Sequence, residues 1–190
     1  MSSSSSSQPN SVWDLAVASL KLSGIRPEIE IEEVPAPARL APHSAALAAD
    51  AVGANDEDLA NGRFVVLHDP EGQDTWDGNF RIVTFVKASI EADVVNDEIF
   101  DEVAWSWLTE TLSDCEATHH NISGTVTRTV SRSFAGLEDR PRQTELELRA
   151  SWTPTDADLG PHLRAWLALL EVCAGLIPLP QGITAIGRVQ

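Results

Sequence analysis

The residues with the clearest chemical potential form a short cluster in the first half of the chain. His68 and Asp69 are neighbours, and Asp77 follows within the run HDPEGQDTWDG. A histidine beside carboxylates can perform general acid–base chemistry, because imidazole titrates near neutrality; it can also bind a metal. The alternative is a hairpin loop in which aspartates cap turns. No nucleophile lies nearby, so we assign no catalytic residue and keep His68, Asp69 and Asp77 as candidates.

A second histidine pair, His119 and His120, lies where a strand is expected to begin. Adjacent strand residues point to opposite faces, so both rings cannot easily bind one metal, and two surface histidines are the simpler interpretation. The two cysteines, Cys115 and Cys173, lie far apart without a CxxC spacing, which disfavours a thiolate metal site. We therefore expect free thiols, no metal, no cofactor and a cytoplasmic, reducing compartment.

Two arginines, Arg128 and Arg132, share one side of a predicted strand. The opposite side carries small hydroxyl residues, namely Thr125, Thr127, Thr129, Ser131 and Ser133. If the arginines face solvent, they pair with Glu145 and Glu147 of the next strand, and the hydroxyl row lines a polar interior. If they face the core, they require carboxylate partners or an anionic ligand. The cross-strand pairing is the simpler interpretation, and an anion site is the alternative.

The chain contains six tryptophans and no tyrosine. Trp107, Trp152 and Trp166 fall on predicted core positions. Trp105 lies on the shoulder of its helix stripe, and Trp76 lies in the loop after His68. Since an exposed tryptophan is a typical hot spot of a protein interface, Trp76 and Trp105 are the candidate interface residues.

The elements that position these residues follow from hydrophobic spacing. Phe80–Ile90 is rich in β-branched and aromatic residues and predicts a strand covered on both faces for much of its length. The apolar residues from Phe100 to Leu112 recur at helical spacing and predict a helix, which Asn96 or Asp97 can cap. Further strands are predicted over His119–Phe134 and Gln143–Trp152, followed by a helix that Asp158 caps and Gly175 ends.

The first half of the chain alternates helices and strands. Val12–Leu22 predicts a well-buried helix, and Pro27–Val34 predicts a half-exposed strand. The alanine-rich segment Arg39–Val52 predicts another helix. Arg63–His68 predicts a short strand, and Asp69–Gly78 predicts a long hairpin loop.

The predicted order is α-β-(α)-β-β-α-β-β-α, in which strand, strand and Trp-bearing helix occur twice, at 63–113 and 120–175. Hairpins imply antiparallel pairing, so we predict an α+β domain with a mostly antiparallel sheet of about five strands and helices packed on it. The domain is expected to span residues 11–178. The serine-rich segment 1–10 lacks the features of a signal peptide and predicts a disordered tail, and 179–190 predicts a loosely attached tail.

Composition narrows the function classes. Acidic residues outnumber basic ones 29 to 13, for a formal net charge of −16, and this field disfavours nucleic-acid binding. No segment has the about 18 uncharged apolar residues that a membrane helix needs. The motifs GxSxG, HExxH, GxGxxG and the P-loop are absent, which lowers the odds of an enzyme.

Several runs resemble an actinobacterial family known as domain of unknown function 3000. They are EEVPAPARLAPHSAALAADA (32–51), GRFVVLHDPEGQDTWDGNFRIVTFV (62–86), WSWL (105–108), SGTVTR (123–128) and ASWTP (150–154). The resemblance implies a bacterial cytoplasmic protein and supplies no activity, substrate or catalytic residue. The element order also resembles the fold of type III secretion chaperones and YbjN-like proteins, which are small, acidic, often dimeric and bind other polypeptides.

The preferred hypothesis is therefore a non-enzymatic protein-binding domain, adaptor-like or chaperone-like, with a polypeptide as partner; the sequence is compatible with a homodimer. The alternative is a small-ligand or anion-binding sensor, or an enzyme. Its site would lie around His68, Asp69 and Asp77, or around Arg128 and Arg132.

Overall fold

The computed structural model describes residues 11–21, 23–91, 98–139 and 142–177. In these ranges the chain forms three α-helices, six strands and one short 3₁₀ turn at Ala135–Leu137. The elements in chain order are α1 (Val12–Ser19), β1 (Ile29–Val34), β2 (His43–Val52), β3 (Asp58–Gln73), β4 (Gly78–Ile90), α2 (Phe100–Asp114), β5 (His119–Ser131), β6 (Gln143–Pro154) and α3 (Gly160–Cys173).

The six strands form one antiparallel sheet in the order β1-β2-β3-β4-β6-β5. This confirms the predicted α+β class and the antiparallel pairing, with one strand more than expected. The predicted tails, 1–10 and 179–190, and the predicted cap residues Asn96 and Asp97 lie outside the described residues.

The additional strand is β2, where the sequence predicted a helix over Arg39–Val52. That prediction is wrong, because pairing with β1 and β3 on both sides outweighs the helix propensity of alanine. The alanines have a packing role in the strand, since Ala49 and Ala51 belong to the main core. Ala49 pairs with Gly62 of β3, and Trp166 lies against Gly62, so small side chains here let α3 approach the sheet.

The main core lies between one face of the sheet and helices α2 and α3. We call this the helix face, and the other the open face. The core contains Trp152 and Trp166, as predicted, and both are fully buried; Trp107 is partly buried. The largest fully buried neighbours are Phe64, Ile82, Leu108, Leu112, Leu146, Leu148, Leu159, Leu163, Leu169 and Leu170.

The repeated unit seen in the sequence is a real structural repeat, β3-β4-α2 followed by β5-β6-α3. The sheet order places the two hairpins side by side, with β4 next to β6. Each helix packs on the hairpin of the other unit: α3 contacts β3 and β4, and α2 contacts β5. The helices also contact each other, so neither unit can complete its core alone.

Three other predictions change. Helix α1 is shorter than expected and is not well buried: Val12 and Leu15 are each 55% exposed, and only Ala16 of the helix is fully buried. A helix of two turns contacts the rest of the domain through one side only.

The predicted loop Asp69–Gly78 is mostly strand, because β3 continues to Gln73 and β4 begins at Gly78. Val83 of β4 is 38% exposed on the open face, so that strand is covered on both faces only in part.

We expect Gly124→Ala to lower the free energy of unfolding by roughly 2 kcal/mol or more, because a tightly packed site does not tolerate added volume. A Cβ at Gly124 would lie 2.3 Å from the carbonyl oxygen of Arg149 and 2.6 Å from Cζ3 of Trp105. Gly136→Ala is the matched control, since a Cβ there meets nothing within 4 Å. Urea denaturation measures both; equal stability of the two variants would contradict the packing described.

We expect stability to fall as the pH is lowered from 7 to 5, by about 2 kcal/mol from His162 alone. His162 is 2% exposed and its Nδ1 accepts a hydrogen bond from Trp152 Nε1 at 3.0 Å. Burial lowers the pKa of His162 from 6.5 to about 4; the charge of His119 acts in the same direction, and Asp156 and Asp158 oppose it. Between pH 6.5 and about 4 the unfolded chain binds a proton at His162 that the folded chain does not. The contribution of His162 to the free energy of unfolding is therefore fully present above pH 6.5 and is lost as the pH falls.

Urea titrations at several pH values measure this slope. His162→Gln keeps a hydrogen-bond acceptor for Trp152 and removes the titrating group, so it should flatten the slope. An unchanged slope in this variant would assign the effect to other residues.

Candidate functional site

The predicted cluster of His68, Asp69 and Asp77 is not brought together. The Asp69 carboxylate accepts hydrogen bonds from the Glu71 amide at 3.1 Å and from Gln73 Nε2 at 3.2 Å. Asp77 lies in the exposed hairpin turn, where its carbonyl accepts a hydrogen bond from His120. His68 is buried and stacks on Phe80 at a ring distance of 4.3 Å. The Asp69 carboxylate thus has the turn-capping role of the alternative interpretation, whereas the Asp77 carboxylate lies 3.6 Å from His120 Nε2.

His68 instead belongs to a ring cluster that sequence reasoning missed. Its ring stacks with Trp13 at 5.8 Å and with His43 at 5.5 Å, and the three line a cavity of about 390 Å³. Burial lowers the pKa of His68, and the charge of His43 lowers it further, with Asp69 acting in the opposite direction. His68 is therefore neutral at neutral pH. The sequence did not indicate His43 as a partner of His68, because His43 lies in the segment that was predicted as a helix.

The arginine predictions are also revised. Arg128 pairs in register with Leu146, so it lies on the helix face. Its guanidinium contacts the Asp101 carboxylate through Nε at 2.7 Å and Nη2 at 3.1 Å, and lies over the Phe100 ring. The expected pairing with Glu145 and Glu147 is therefore wrong, because these glutamates lie on the open face.

The other residues of the arginine prediction are the two glutamates, Arg132 and the hydroxyl row of β5. Glu145 contacts Lys87 at 2.9 Å, and Glu147 contacts Arg149. Arg132 lies beyond β5, is exposed, and stacks over Phe134 at 5.3 Å. The hydroxyl row of β5, including Ser123 and Thr125, lines the open face and not the interior.

The two candidate interface tryptophans are both partly buried. Trp76 folds over the open face and packs on a small second core of Ala46, Val65 and Leu67. Trp105 packs against Gly124 from the helix face. The interface role of these two residues stays a prediction.

The open face carries a groove. One section, of about 360 Å³, has an apolar floor that includes Val65, Val83 and Phe85, with Ser123 and Ser151 at one side. A neighbouring section of about 410 Å³ shares Arg63, Phe85 and Arg149 with the first and extends to β2, where its lining includes Ala48 and Asp50. The two sections form one groove that crosses the sheet obliquely from β5 to β2.

A buried cation lies directly beside this groove. Arg81 is 8% exposed, and its guanidinium donates to the carbonyl of Asn121 at 2.8 Å and to Thr153 Oγ1 at 3.1 Å. It also donates to Ser151 Oγ at 2.7 Å and to Ser123 Oγ at 3.4 Å. All four acceptors are neutral. Within the described residues Arg81 has no carboxylate partner, which is unusual because a buried charge without one is costly.

Two further arginines, Arg63 and Arg149, are exposed and line the groove. The Arg149 guanidinium lies 5.2 Å over the Phe85 ring and contacts Glu147. Burial lowers the pKa of Arg81 from its ordinary value, but an arginine remains protonated in proteins. Three arginines thus lie in or beside the groove of a chain whose net charge is −16, with Asp50 and Glu147 as acidic neighbours.

The turn between β3 and β4 closes the groove on the side of Arg81. The carbonyl of Trp76 accepts hydrogen bonds from Thr153 Oγ1 and Asn121 Nδ2, and the Asn121 amide also reaches the carbonyl of Thr75. The turn covers the row of open-face residues that contains Leu67, Arg81 and Thr153, all of which are buried. In the next row Val83 and Ser123 are exposed and Ser151 is half-buried, whereas Val65 is buried.

The described ranges contain no metal centre. The cysteines are free thiols, and no group of three or more histidine, cysteine or carboxylate side chains is placed to hold a metal ion there. Among the described residues, no helix has the length and apolar character needed to cross a membrane.

The sequence identifies the family. Residues 9–184 match the model of the family described as Protein of unknown function (DUF3000), and the chain belongs to it. No curated protein and no solved structure matches the chain, so the resemblance to secretion chaperones and YbjN-like proteins stays a prediction.

We expect Trp13→Ala to raise the pKa of His68 towards 6.5, the ordinary value for histidine, because the substitution exposes the imidazole that burial now desolvates. An NMR titration of the histidine ring signals measures this shift. Leu15→Ala, at an exposed position of the same helix outside the cavity lining, should leave the titration unchanged. A His68 pKa that does not respond to Trp13→Ala would show that the ring cluster is not its main cover.

Proposed function

We propose that this protein is a non-enzymatic binding protein that holds a short segment of a partner polypeptide in the open-face groove. The observation that carries this proposal is the combination of an accessible apolar floor with three arginines in a strongly acidic chain. The free thiols of Cys115 and Cys173 support a cytoplasmic setting.

The shape of the groove favours an extended polypeptide over a compact small molecule. The groove crosses five strands, from β5 to β2. At about 4.8 Å between neighbouring strands its length is roughly 19 Å, enough for about five residues of an extended chain. Apolar contacts of Val83 and Phe85 would supply affinity, and the arginines would select against a basic segment.

The geometry gives less support to catalysis. His68 is separated from Asp69 and Asp77, and Arg128 is paired with Asp101. The groove itself contains hydroxyls and guanidiniums without a histidine or a carboxylate beside the hydroxyls that could act as a base. Binding is the function that these groups support together.

A library of randomised synthetic decapeptides tests the proposal. We expect selection to enrich peptides with apolar and acidic residues, and Val83→Asp to weaken their binding at least tenfold, because it puts a carboxylate on the apolar floor. Val130→Asp is the matched control, since Val130 is an exposed valine on the helix face; it should change the Kd less than twofold.

A second pair of variants tests the charge. Arg149→Glu reverses a charge at the groove and should weaken the same peptides, while Arg132→Glu makes the same change outside it. Failure to enrich any peptide, or wild-type affinity in both Val83→Asp and Arg149→Glu, would refute the proposed function.

A further inference from the structure

We infer that the groove contains a carboxylate-binding site, formed by the hydroxyls of Ser123 and Ser151 with Arg81 behind them. The group that it binds is the C-terminal carboxylate of the partner polypeptide. This inference rests on the proposed function and names the chemical feature that the groove recognises.

The direction of the hydrogen bonds indicates that both serine hydroxyls can donate to a ligand. Ser123 Oγ and Ser151 Oγ both accept hydrogen bonds from Arg81. A guanidinium can only donate, so each serine keeps its own O–H proton for another acceptor. Within the described residues neither hydroxyl donates to a protein group, and both side chains line the groove. Two O–H donors therefore point to one accessible region.

The buried charge determines the kind of ligand. Arg81 polarises both hydroxyls, and its charge has no carboxylate partner in the described part of the chain. An anion accepted by the two serines would place negative charge close to this guanidinium, where the low local dielectric strengthens the attraction. A carboxylate has two oxygens for two donors, and hydrogen bonds to charged groups are the strong ones.

The position of the site favours a chain end. The pair Ser123 and Ser151 lies in the row of Val83, and the next row is covered by the turn that contains Trp76. An extended segment that follows the groove from β2 towards β5 meets this turn next to the two hydroxyls. Its last side chain would lie on Val65 and Val83, and Arg63 and Arg149 would lie beside the preceding residues.

The decisive experiment compares three forms of each peptide selected from the library, measured by fluorescence anisotropy with the full chain. The first has a free C-terminal carboxylate, the second has a C-terminal amide, and the third is an amide with an aspartate placed inside the sequence. We expect amidation to weaken binding at least tenfold, as for the loss of a charge-assisted hydrogen-bond pair, and the internal aspartate not to restore it.

Variants of the two serines test whether their hydroxyls cause the preference for the free acid. Ser123→Ala and Ser151→Ala should each weaken the free-acid peptide by roughly tenfold and leave the amide unchanged. Thr127→Ala is the matched control, because Thr127 also lies on the open face of β5 but outside the groove lining. Arg81→Met should remove the preference for the free acid; if it does not fold, the serine variants still decide.

The outcomes separate the two proposals. Equal affinity for acid and amide, or equal effects of Thr127→Ala and the serine variants, would overturn the carboxylate site and leave the binding function standing. Full recovery by the internal aspartate would replace the chain end by an acidic side chain and overturn the inference. Butyrate, a small carboxylate, is measured in parallel by its effect on the melting temperature. A rise in melting temperature with butyrate, together with no binding of any peptide, would refute the polypeptide ligand and with it the proposed function.

Discussion

The packing of α2 and α3 on a single face of the sheet is the constraint on which the rest of the molecule depends. Each helix covers the hairpin of the other repeat, so the core closes only when both units are present. Trp152 and Trp166 are fully buried in this layer and each removes a large apolar area from water. With the two long helices on one side, the opposite face is left to smaller covering segments and to solvent.

The open face is covered unevenly, and this produces the groove. Trp76, Val34, Ala36 and Ala41 pack on a small second core over β2 and β3, which leaves the area around Val83 and Phe85 accessible. Arg81 lies at the boundary between the covered and the accessible part. Its four neutral acceptors satisfy its donors without cancelling its charge. Such an arrangement is expensive for stability alone, and perturbed buried charges tend to occur at functional sites.

Particular residues show how far the sequence could lead. The alternation in β5 correctly separated a hydroxyl side from an arginine side, but it could not tell which side faced the helices. A solvent-facing position was the simpler interpretation for the arginines, because guanidiniums that face the core need carboxylate partners or an anionic ligand. The ion pair between Arg128 and Asp101 was missed because α2 is distant in sequence. Arg81 carried no signal at all: it is one charged residue between Phe80 and Ile82, and nothing local shows that a turn will cover it.

The sequence by itself determined the class, the antiparallel hairpins, the duplicated strand–strand–helix unit and the buried tryptophans, because these follow from hydrophobic spacing and turn residues within each segment. Only the tertiary structure decided that the segment around Ala46–Ala51 is a strand. Alanine is compatible with helix and strand, and pairing with β1 and β3 determines which of the two forms. The tertiary structure alone also decided which side chains meet at the groove. Ser123, Ser151 and Arg81 come from three strands, and their approach depends on register across the sheet, which no local pattern encodes.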